Sequence, residues 1–292
     1  MHLLPRARNL LRDAFPPLSS VPHVEKRRSK VVDEIVAWCQ EHDIELGPRL
    51  THGRLRLDHD LLAQIDEALA ALGEPSIKDD LSGLTSAEQA QLGNREQKSV
   101  RMSPRKHRVL ANLPSADSRI GLVSRPRDFL DLDWRDLALD AFDVLIQIEN
   151  LDGFYAFDTA ISVLADWPRP LVLYRGDSHY GGAFARVAEA WAGTDKAHLY
   201  LGDFDAAGLH NALSSRATHL LLPPFDVLFT QAGGEQLPSD QYSLQASLRD
   251  YAGRLSANHP LASHLRLLLG DQRGLLQQWF GPVEALEVVP LA

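Results

Sequence analysis

Residues 120–225 alternate between short apolar runs and segments whose apolar residues recur at helical spacing. The apolar runs are IGLVS, DVLIQIE, PLVLYRG, HLYLGDFD and THLLLPP, and the helical segments between them cover residues 154–166, 183–192 and 206–215. Strands that are apolar over almost their whole length are typical of parallel sheets covered by helices on both faces. The pattern therefore predicts an α/β fold, with a mostly parallel sheet flanked by helices.

The residues before this region predict an α-rich half. Residues 24–42 and 60–72 have the spacing of helices, and GPRLTHGRLRLD between them predicts a hairpin that turns near His52 and Gly53. Two helices and a hairpin, with basic residues nearby, are compatible with a winged-helix-like module. Thr85 and Glu88 form a capping-box pattern at the start of a further short helix.

The change from helical spacing to alternating strands and helices, and back to helical spacing, predicts three regions. Residues 1–117 form the helical, winged-helix-like region, residues 118–235 the α/β domain, and residues 236–292 a C-terminal helical segment. Within the last region, helical spacing runs over residues 240–280, with breaks expected at Pro260 and Gly270.

The composition is that of an ordinary globular protein, with 45% hydrophobic and 24% charged residues in 292. No apolar run is long enough to span a membrane, and the N-terminus lacks the apolar core of a secretory signal. Cys39 is the single cysteine, which excludes a disulfide framework or a cysteine-based zinc site within this sequence. We expect a cytoplasmic protein that does not bind membranes.

The net charge of −9 is unevenly distributed. Residues 1–127 carry 20 Lys and Arg against 17 Asp and Glu, whereas residues 128–292 carry 10 against 22. A mildly basic half is suited to contact phosphate, and an acidic half either repels nucleic acid or holds a cation.

Polar residues follow three of the predicted strands. They are Glu149 and Asn150, then Arg175 to Asp177, and then Gly202 to Asp205. In an open parallel sheet, ligands bind beyond the carboxyl ends of the strands. If the first and third of these strands are neighbours, Glu149 faces Asp203 and Asp205.

The spacing of Asp203 and Asp205 admits two interpretations. Residues i and i+2 of an extended chain point the same way, about 6.6 Å apart, and two such carboxylates repel each other unless a cation lies between them. Magnesium takes oxygen ligands of this kind, so both aspartates would be ligands, and Glu149 would ligate a second ion or act as a general base. Alternatively, an Asp at a strand end caps the following helix. Phe204, between them, is expected to point into the core.

The combined motifs resemble the Toprim domain, which is shared by topoisomerases, bacterial primases and several nucleases. The segments IENLDGFYAF, YRGDSHYGG and YLGDFDAAGLHNAL are more narrowly similar to the Toprim nuclease subunit of Wadjet and MksBEF defence systems, called JetD or MksG. The similarity covers residues 140–224. The N-terminal half matches only in general plan, which is similar to that of type IIB topoisomerase A subunits. Haloacid-dehalogenase phosphatases also carry Asp-x-Asp, but with a Thr where this chain has Ala207.

The resemblance implies that the protein is a homodimer and cleaves DNA in a reaction that depends on Mg²⁺ or Mn²⁺. It assigns Glu149, Asp203 and Asp205 as the catalytic and metal-binding residues. Asn150, Asp152, Asp177 and His179 lie near them in the sequence or at the same predicted sheet edge, and they are candidate accessory residues. It also implies plasmid double-stranded DNA as substrate and an SMC-like ATPase with its kleisin as partners.

The tyrosines decide between two mechanisms of cleavage. Topoisomerases of the related architecture use a tyrosine of the winged-helix half as nucleophile. All six tyrosines of this chain lie at or after residue 155, so that half has no candidate. We therefore expect hydrolysis by a metal-activated water. Two alternatives stay open: a non-catalytic DNA-binding adaptor with a Toprim scaffold, and a Toprim nuclease that acts on structured RNA.

Affinity for DNA is expected to come from phosphate neutralisation, without sequence specificity. The candidate residues form two clusters: Lys26, Arg27, Arg28 and Lys30, and then Arg101, Arg105, Lys106 and Arg108. The segment GDSHYGGAF has glycines before a helix but lacks the lysine of a P-loop, so ATP hydrolysis is not predicted here.

Overall fold

A computed structural model divides the chain into two compact units, Met1–Pro104 and Arg105–Ala292. The structure describes residues 2–94, 96–115, 120–121, 123–159, 161–177, 179–180, 182–234, 241–282 and 285–292. The division falls before the boundary expected at residue 117, and residues 236–292 belong to the second unit instead of forming a region of their own.

The first unit consists of helices and a two-stranded antiparallel sheet. Its elements are α1 (Pro5–Arg12), α2 (Phe15–Leu18), β1 (Val24–Arg27), α3 (Lys30–Glu41), β2 (Arg54–Leu57), α4 (His59–Ala71) and α5 (Ser86–Leu92). Residues 24–27 were expected to be helical and are instead a strand, which pairs with β2. The turn near Gly53 is confirmed by a bridge between Leu50 and Leu55, and the capping box of Thr85 and Glu88 is confirmed as well.

The second unit is an α/β structure built on a seven-stranded mixed sheet. Its strands are β3 (Arg108–Pro114), β4 (Arg127–Asp133), β5 (Val144–Ile148), β6 (Pro170–Tyr174), β7 (Ala197–Leu201), β8 (His219–Leu222) and β9 (Glu287–Pro290), in the order β4-β3-β6-β5-β7-β8-β9. Its helices are α6 (Leu151–Ala156), α7 (Phe184–Ala192), α8 (Ala206–Ser214), α9 (Phe225–Gln231), α10 (Tyr242–Ala252) and α11 (Ala262–Leu265).

The four central strands are parallel, which confirms the expected parallel core. They are β6, β5, β7 and β8, whereas β3 and β9 pair antiparallel with the strands beside them. Three strands of this sheet were not predicted from the sequence: β3, β4 and β9. The prediction of a strand at IGLVS was wrong for the described part of that run, where Ile120 and Val123 are exposed and lie outside any strand.

Two helical predictions also need correction. The segment 154–166 is not one helix, because α6 ends at Ala156 and a 3-10 turn covers Ser162–Leu164. In residues 240–280, α10 and α11 are followed by a π-helical turn, Arg266–Gly270, which ends at Gly270 as expected. Residues 271–280, however, contain only a 3-10 turn, Gln277–Trp279, instead of the expected helix. No helix of the described residues is both long and apolar enough to cross a bilayer.

The strand order creates a switch point between β5 and β7. From β5 the chain passes to β6 on one side and then returns to β7 on the other side of β5. Helices cover both faces, and α7 packs Phe184 and Trp191 against the strand residues Leu145, Leu171 and Leu173. Crevices at such switch points are the usual ligand sites of open α/β sheets, so the residues just beyond β5 and β7 mark the candidate site.

Candidate functional site

Glu149 directly follows β5 and is held by residues from three other elements. Its Oε2 accepts a hydrogen bond from the Tyr200 hydroxyl. Its Oε1 accepts one from Asn211 Nδ2 at 3.0 Å and lies 3.1 Å from a guanidinium nitrogen of Arg175. The carboxylate is therefore fixed by contacts with the end of β6, with β7 and with α8.

Tyr200 acts as a permanent donor in this arrangement. Burial first, and then the negative charge of Glu149, raise the pKa of its phenol well above 10. The hydroxyl thus keeps its proton at neutral pH and can donate to Glu149.

Gly202 allows these two side chains to meet. A Cβ at this position would lie 2.5 Å from Glu149 Oε2 and 2.6 Å from the Tyr200 hydroxyl. Gly208 is similarly constrained, since a Cβ there would collide with the carbonyl of Asp203. Glycine at both positions lets the backbone after β7 and the start of α8 approach closely.

Asp203 lies in a negatively charged environment. Its Oδ1 accepts a hydrogen bond from the backbone N–H of Gln277 at 2.7 Å, and its Oδ2 accepts none from the described residues. Its pKa is raised, first by burial and then by the charges of Asp205 and Glu149. Because β5 and β7 are neighbours, as the sequence argument required, Glu149 and Asp203 follow adjacent strands.

Asp205 is buried and caps α8. A helix cap was the second of the two interpretations that the sequence allowed for an Asp after a strand. Its Oδ1 accepts a hydrogen bond from Gly208 N at 2.7 Å, and its Oδ2 accepts one from Gln241 Nε2 at 2.7 Å. Phe204, between the two aspartates, is buried in the core as expected and forms a β-bridge with Leu275.

The four candidate accessory residues have different environments. Asn150 caps α6, accepting a hydrogen bond from Gly153 N at 2.9 Å, and Asp152 is exposed in that helix. Asp177 stabilises a turn after β6: it accepts from the backbone N–H groups of His179 and Tyr180, which hold its pKa below the usual value. The His179 side chain is exposed. Asn150 thus caps a helix beside Glu149, and Asp177 stabilises the turn after β6, whereas the accessory roles stay predictions.

Several residues of the site were not assigned from the sequence. Arg175 was noted only as part of a strand end, and Tyr200, Asn211, Gln241 and Gln277 were not noted. The end of β6 places Arg175 at the edge of the sheet, but its pairing with Glu149 has no signal in the sequence. Gln277 lies 74 residues from Asp203 along the chain, and no local pattern connects the two.

The donor chemistry of the site is suited to a hard divalent cation. Glu149, Asp203 and Asp205 offer only carboxylate oxygens, which Mg²⁺ prefers, and Asp203 has an oxygen without a hydrogen bond from the described residues. Among the described residues, no group of three or more His, Cys, Asp or Glu side chains is arranged to hold a metal. Glu149 is directed towards Arg175, Tyr200 and Asn211 instead.

The candidate DNA-binding residues are divided between the two units. Lys26, Arg27, Arg28, Lys30 and Arg101 belong to the first, and Arg105, Lys106 and Arg108 to the second. Three of them pair with acidic side chains: Arg28 with Asp33, Arg101 with Glu96 and Arg108 with Asp131. Arg27, Lys30 and Lys106 are exposed.

Comparison with known families identifies one match. A family described as a domain of unknown function, DUF7281, matches residues 100–280, and the chain therefore belongs to it. The match includes β5, β7 and the residues that follow them, together with Gln277. No curated protein matches the chain.

Proposed function

We propose that this member of the DUF7281 family is a divalent-metal-dependent, sequence-independent DNA endonuclease that hydrolyses phosphodiester bonds. One observation carries the proposal: Glu149 and Asp203 follow adjacent parallel strands at the switch point, and burial, followed by the charges of Asp205 and Glu149, raises the pKa of Asp203. A cation would relieve this repulsion. When bound, it would supply Lewis-acid activation of water or phosphate.

The residues then take different roles. Asp203 and Asp205 would hold the metal, with Glu149 as a further ligand or as a general base. Arg175, whose guanidinium lies at the same edge, is suited to contact a phosphate of the substrate. Tyr200 and Asn211 keep Glu149 oriented.

Further parts of the proposal rest on the sequence resemblance. They are a Toprim-type fold for the α/β unit, a winged-helix-like first unit, a homodimer, and action on plasmid DNA with an SMC-like ATPase and kleisin. The exposed Arg27, Lys30 and Lys106 support a contribution from phosphate contacts.

Nicking of supercoiled plasmid by the purified chain tests the activity. With Mg²⁺ or Mn²⁺ we expect the wild type to nick, and Glu149→Gln and Asp203→Asn to lose at least 100-fold in rate, a rough figure for removal of a metal or acid–base function. Asp166→Asn, which removes an exposed carboxylate outside the site, is the matched control. Undiminished cleavage by Asp203→Asn would overturn the proposal.

A non-catalytic DNA-binding adaptor is the second candidate, and one observation favours it. Both carboxylate oxygens of Asp205 accept hydrogen bonds, and Glu149 already has three partners. The adaptor hypothesis expects plasmid defence to persist in the triple variant Glu149→Ala, Asp203→Ala and Asp205→Ala, which the nuclease hypothesis excludes. Parallel assays with duplex DNA and structured RNA separate the third alternative, an RNA nuclease.

A further inference from the structure

A cleft of about 390 Å³ adjoins Glu149 on the side of α7 and α8. Its borders include Gln147, Arg175, Phe184, Ala188, Asn211 and Arg216. Arg175 and Asn211 are the same residues that contact Glu149, so the cleft begins where the candidate site ends. Its volume lies in the range of sites for small molecules.

The amide of Gln147 is the first polar feature of the cleft. Gln147 is 1% exposed and is the one polar residue of β5, whose other four residues are apolar. Its Oε1 contacts His198 Nε2 at 3.0 Å and the Ser215 hydroxyl at 2.7 Å, whereas its Nε2 donates to none of the described residues. Gln147 borders the cleft, so this Nε2 is available to a molecule bound there.

His198 keeps this amide in place without adding charge. Burial lowers the pKa of His198 to about 4, so the imidazole is neutral at physiological pH. Ser215 and His198 together use one end of the amide. Whichever way the amide is oriented, one of its polar atoms is left for a molecule in the cleft.

The charges and apolar surfaces of the cleft define its ligand. Arg216 supplies one positive group, and Arg175, which is also paired with Glu149, supplies a second. Glu189 at the border is paired with Arg186 at 3.6 Å. Phe184 and Ala188 supply an apolar wall. These features fit a nucleotide. The two arginines suit its phosphate, the apolar wall suits the face of its base, and the amide suits the donor and acceptor atoms of the base.

We propose that this cleft binds one nucleotide of the nucleic-acid strand that is cut at the neighbouring carboxylates, with its phosphate at the arginines and its base beside Gln147. The proposal rests on the proposed nuclease function, and it adds a substrate-binding subsite to it. The proposal also gives Arg175 two contacts at the junction of the two sites: its guanidinium contacts Glu149, and the residue borders the cleft.

Binding of deoxyadenosine 5′-monophosphate to the full chain in EDTA tests the subsite without cleavage. Saturation-transfer difference NMR should show transfer to the base protons, with a dissociation constant on the order of 1 mM. Inorganic phosphate should compete at least about tenfold more weakly, because it lacks the base. Equal competition by phosphate, or no transfer to the base, overturns the proposal.

Two variants and a control locate the binding. Ala185→Trp places a large side chain in the cleft from an exposed position, and Arg216→Asn removes a charge. Arg216 has a φ of 59°, a conformation that Asn tolerates. Each variant should weaken binding about tenfold or more. Arg254→Asn, an equal charge change at an exposed residue that does not border the cleft, should leave binding unchanged. Wild-type affinity in both cleft variants, with circular dichroism confirming the fold, overturns the proposal.

The two proposals fail in distinguishable ways. Nucleotide binding without cleavage, in any divalent metal, contradicts the nuclease and leaves the subsite standing. Cleavage by the wild type with an unchanged KM in Ala185→Trp contradicts the subsite and leaves the nuclease standing. Asp203→Asn should lose cleavage and keep nucleotide binding, because Asp203 does not border the cleft.

Discussion

Arg175 and Glu149 form an ion pair across the ends of two adjacent strands, with 3.1 Å between the guanidinium nitrogen and Oε1. The Nε of Arg175 is buried and has no hydrogen-bond partner among the residues that the structure describes. A positive charge thus already lies beside the carboxylates that we propose as metal ligands. A divalent cation and Arg175 must therefore compete for Glu149.

This competition predicts that Arg175→Gln binds Mn²⁺ more tightly than the wild type. Removal of a nearby positive charge leaves the carboxylates less compensated, which should improve affinity about fivefold, equivalent to roughly 1 kcal/mol. Electron paramagnetic resonance of free Mn²⁺ measures the change directly. Arg169→Gln is the control, since it removes an ion pair with Asp143 at the other end of β6. Unchanged or weaker binding in Arg175→Gln would show that Arg175 does not compete with the metal.

The parallel centre of the sheet was predictable because its strands are buried on both faces. Continuous apolar runs mark β5, β6, β7 and β8. The strand β4 was missed because RDFLDLD has four charged residues among seven and no continuous apolar run; it lies at the edge of the sheet, beside β3. The run IGLVS is apolar, yet Ile120 and Val123 are exposed. Hydrophobicity alone therefore predicted a buried strand there that the structure does not contain among its described residues.

The site was predictable only as far as it depends on strand ends. Glu149 and Asp203 could be placed together because parallel strands end at the same edge. Contacts between residues far apart in the chain could not be predicted from local sequence patterns. Gln277 donates a hydrogen bond to Asp203 from a C-terminal segment, and Gln241, just before α10, donates one to Asp205. The pairing of Arg175 with Glu149 depends on strand order, which the sequence does not contain.

Asp203→Asn should be more stable than the wild type at neutral pH. The pKa of Asp203 is raised above its ordinary value of 3.8 in the folded state, so ionisation destabilises the folded chain as the pH rises through that raised value. Asn keeps the acceptor for Gln277 N and carries no charge. We expect a gain of about 1 kcal/mol at pH 7, typical for replacement of an active-site charge.

The pH dependence checks the cause of that gain. Below pH 3.8, Asp203 is protonated in both the folded and the unfolded state, so the difference between Asp203→Asn and the wild type should approach zero. Urea unfolding at several pH values between 3.5 and 7.5 measures it. A difference that does not change with pH would show that charge repulsion at Asp203 is not its source.

Asp205 should respond in the opposite way. Asp205→Ala removes the cap of α8 and the contact with Gln241, which should destabilise the fold by about 1–2 kcal/mol. Asp205→Asn retains an oxygen for Gly208 N and should lose less. If Asp205 also holds the metal, Asp205→Asn will lose cleavage while remaining folded, which separates the two roles. Equal stability of Asp205→Ala and the wild type in urea unfolding would contradict the capping role.

Gly202→Ala tests whether the close approach of Glu149 and Tyr200 matters for function. The added Cβ would lie 2.5 Å from Glu149 Oε2 and 2.6 Å from the Tyr200 hydroxyl, so at least one of these side chains must move. We expect destabilisation by about 1–3 kcal/mol, as for other overpacked sites, and a loss of cleavage larger than that of the control. Gly193→Ala is that control, because its Cβ would meet only the Ala190 carbonyl, at 3.4 Å. Wild-type cleavage by Gly202→Ala would mean that the hydrogen bond from Tyr200 to Glu149 is dispensable, since that bond cannot keep its geometry beside the new methyl group.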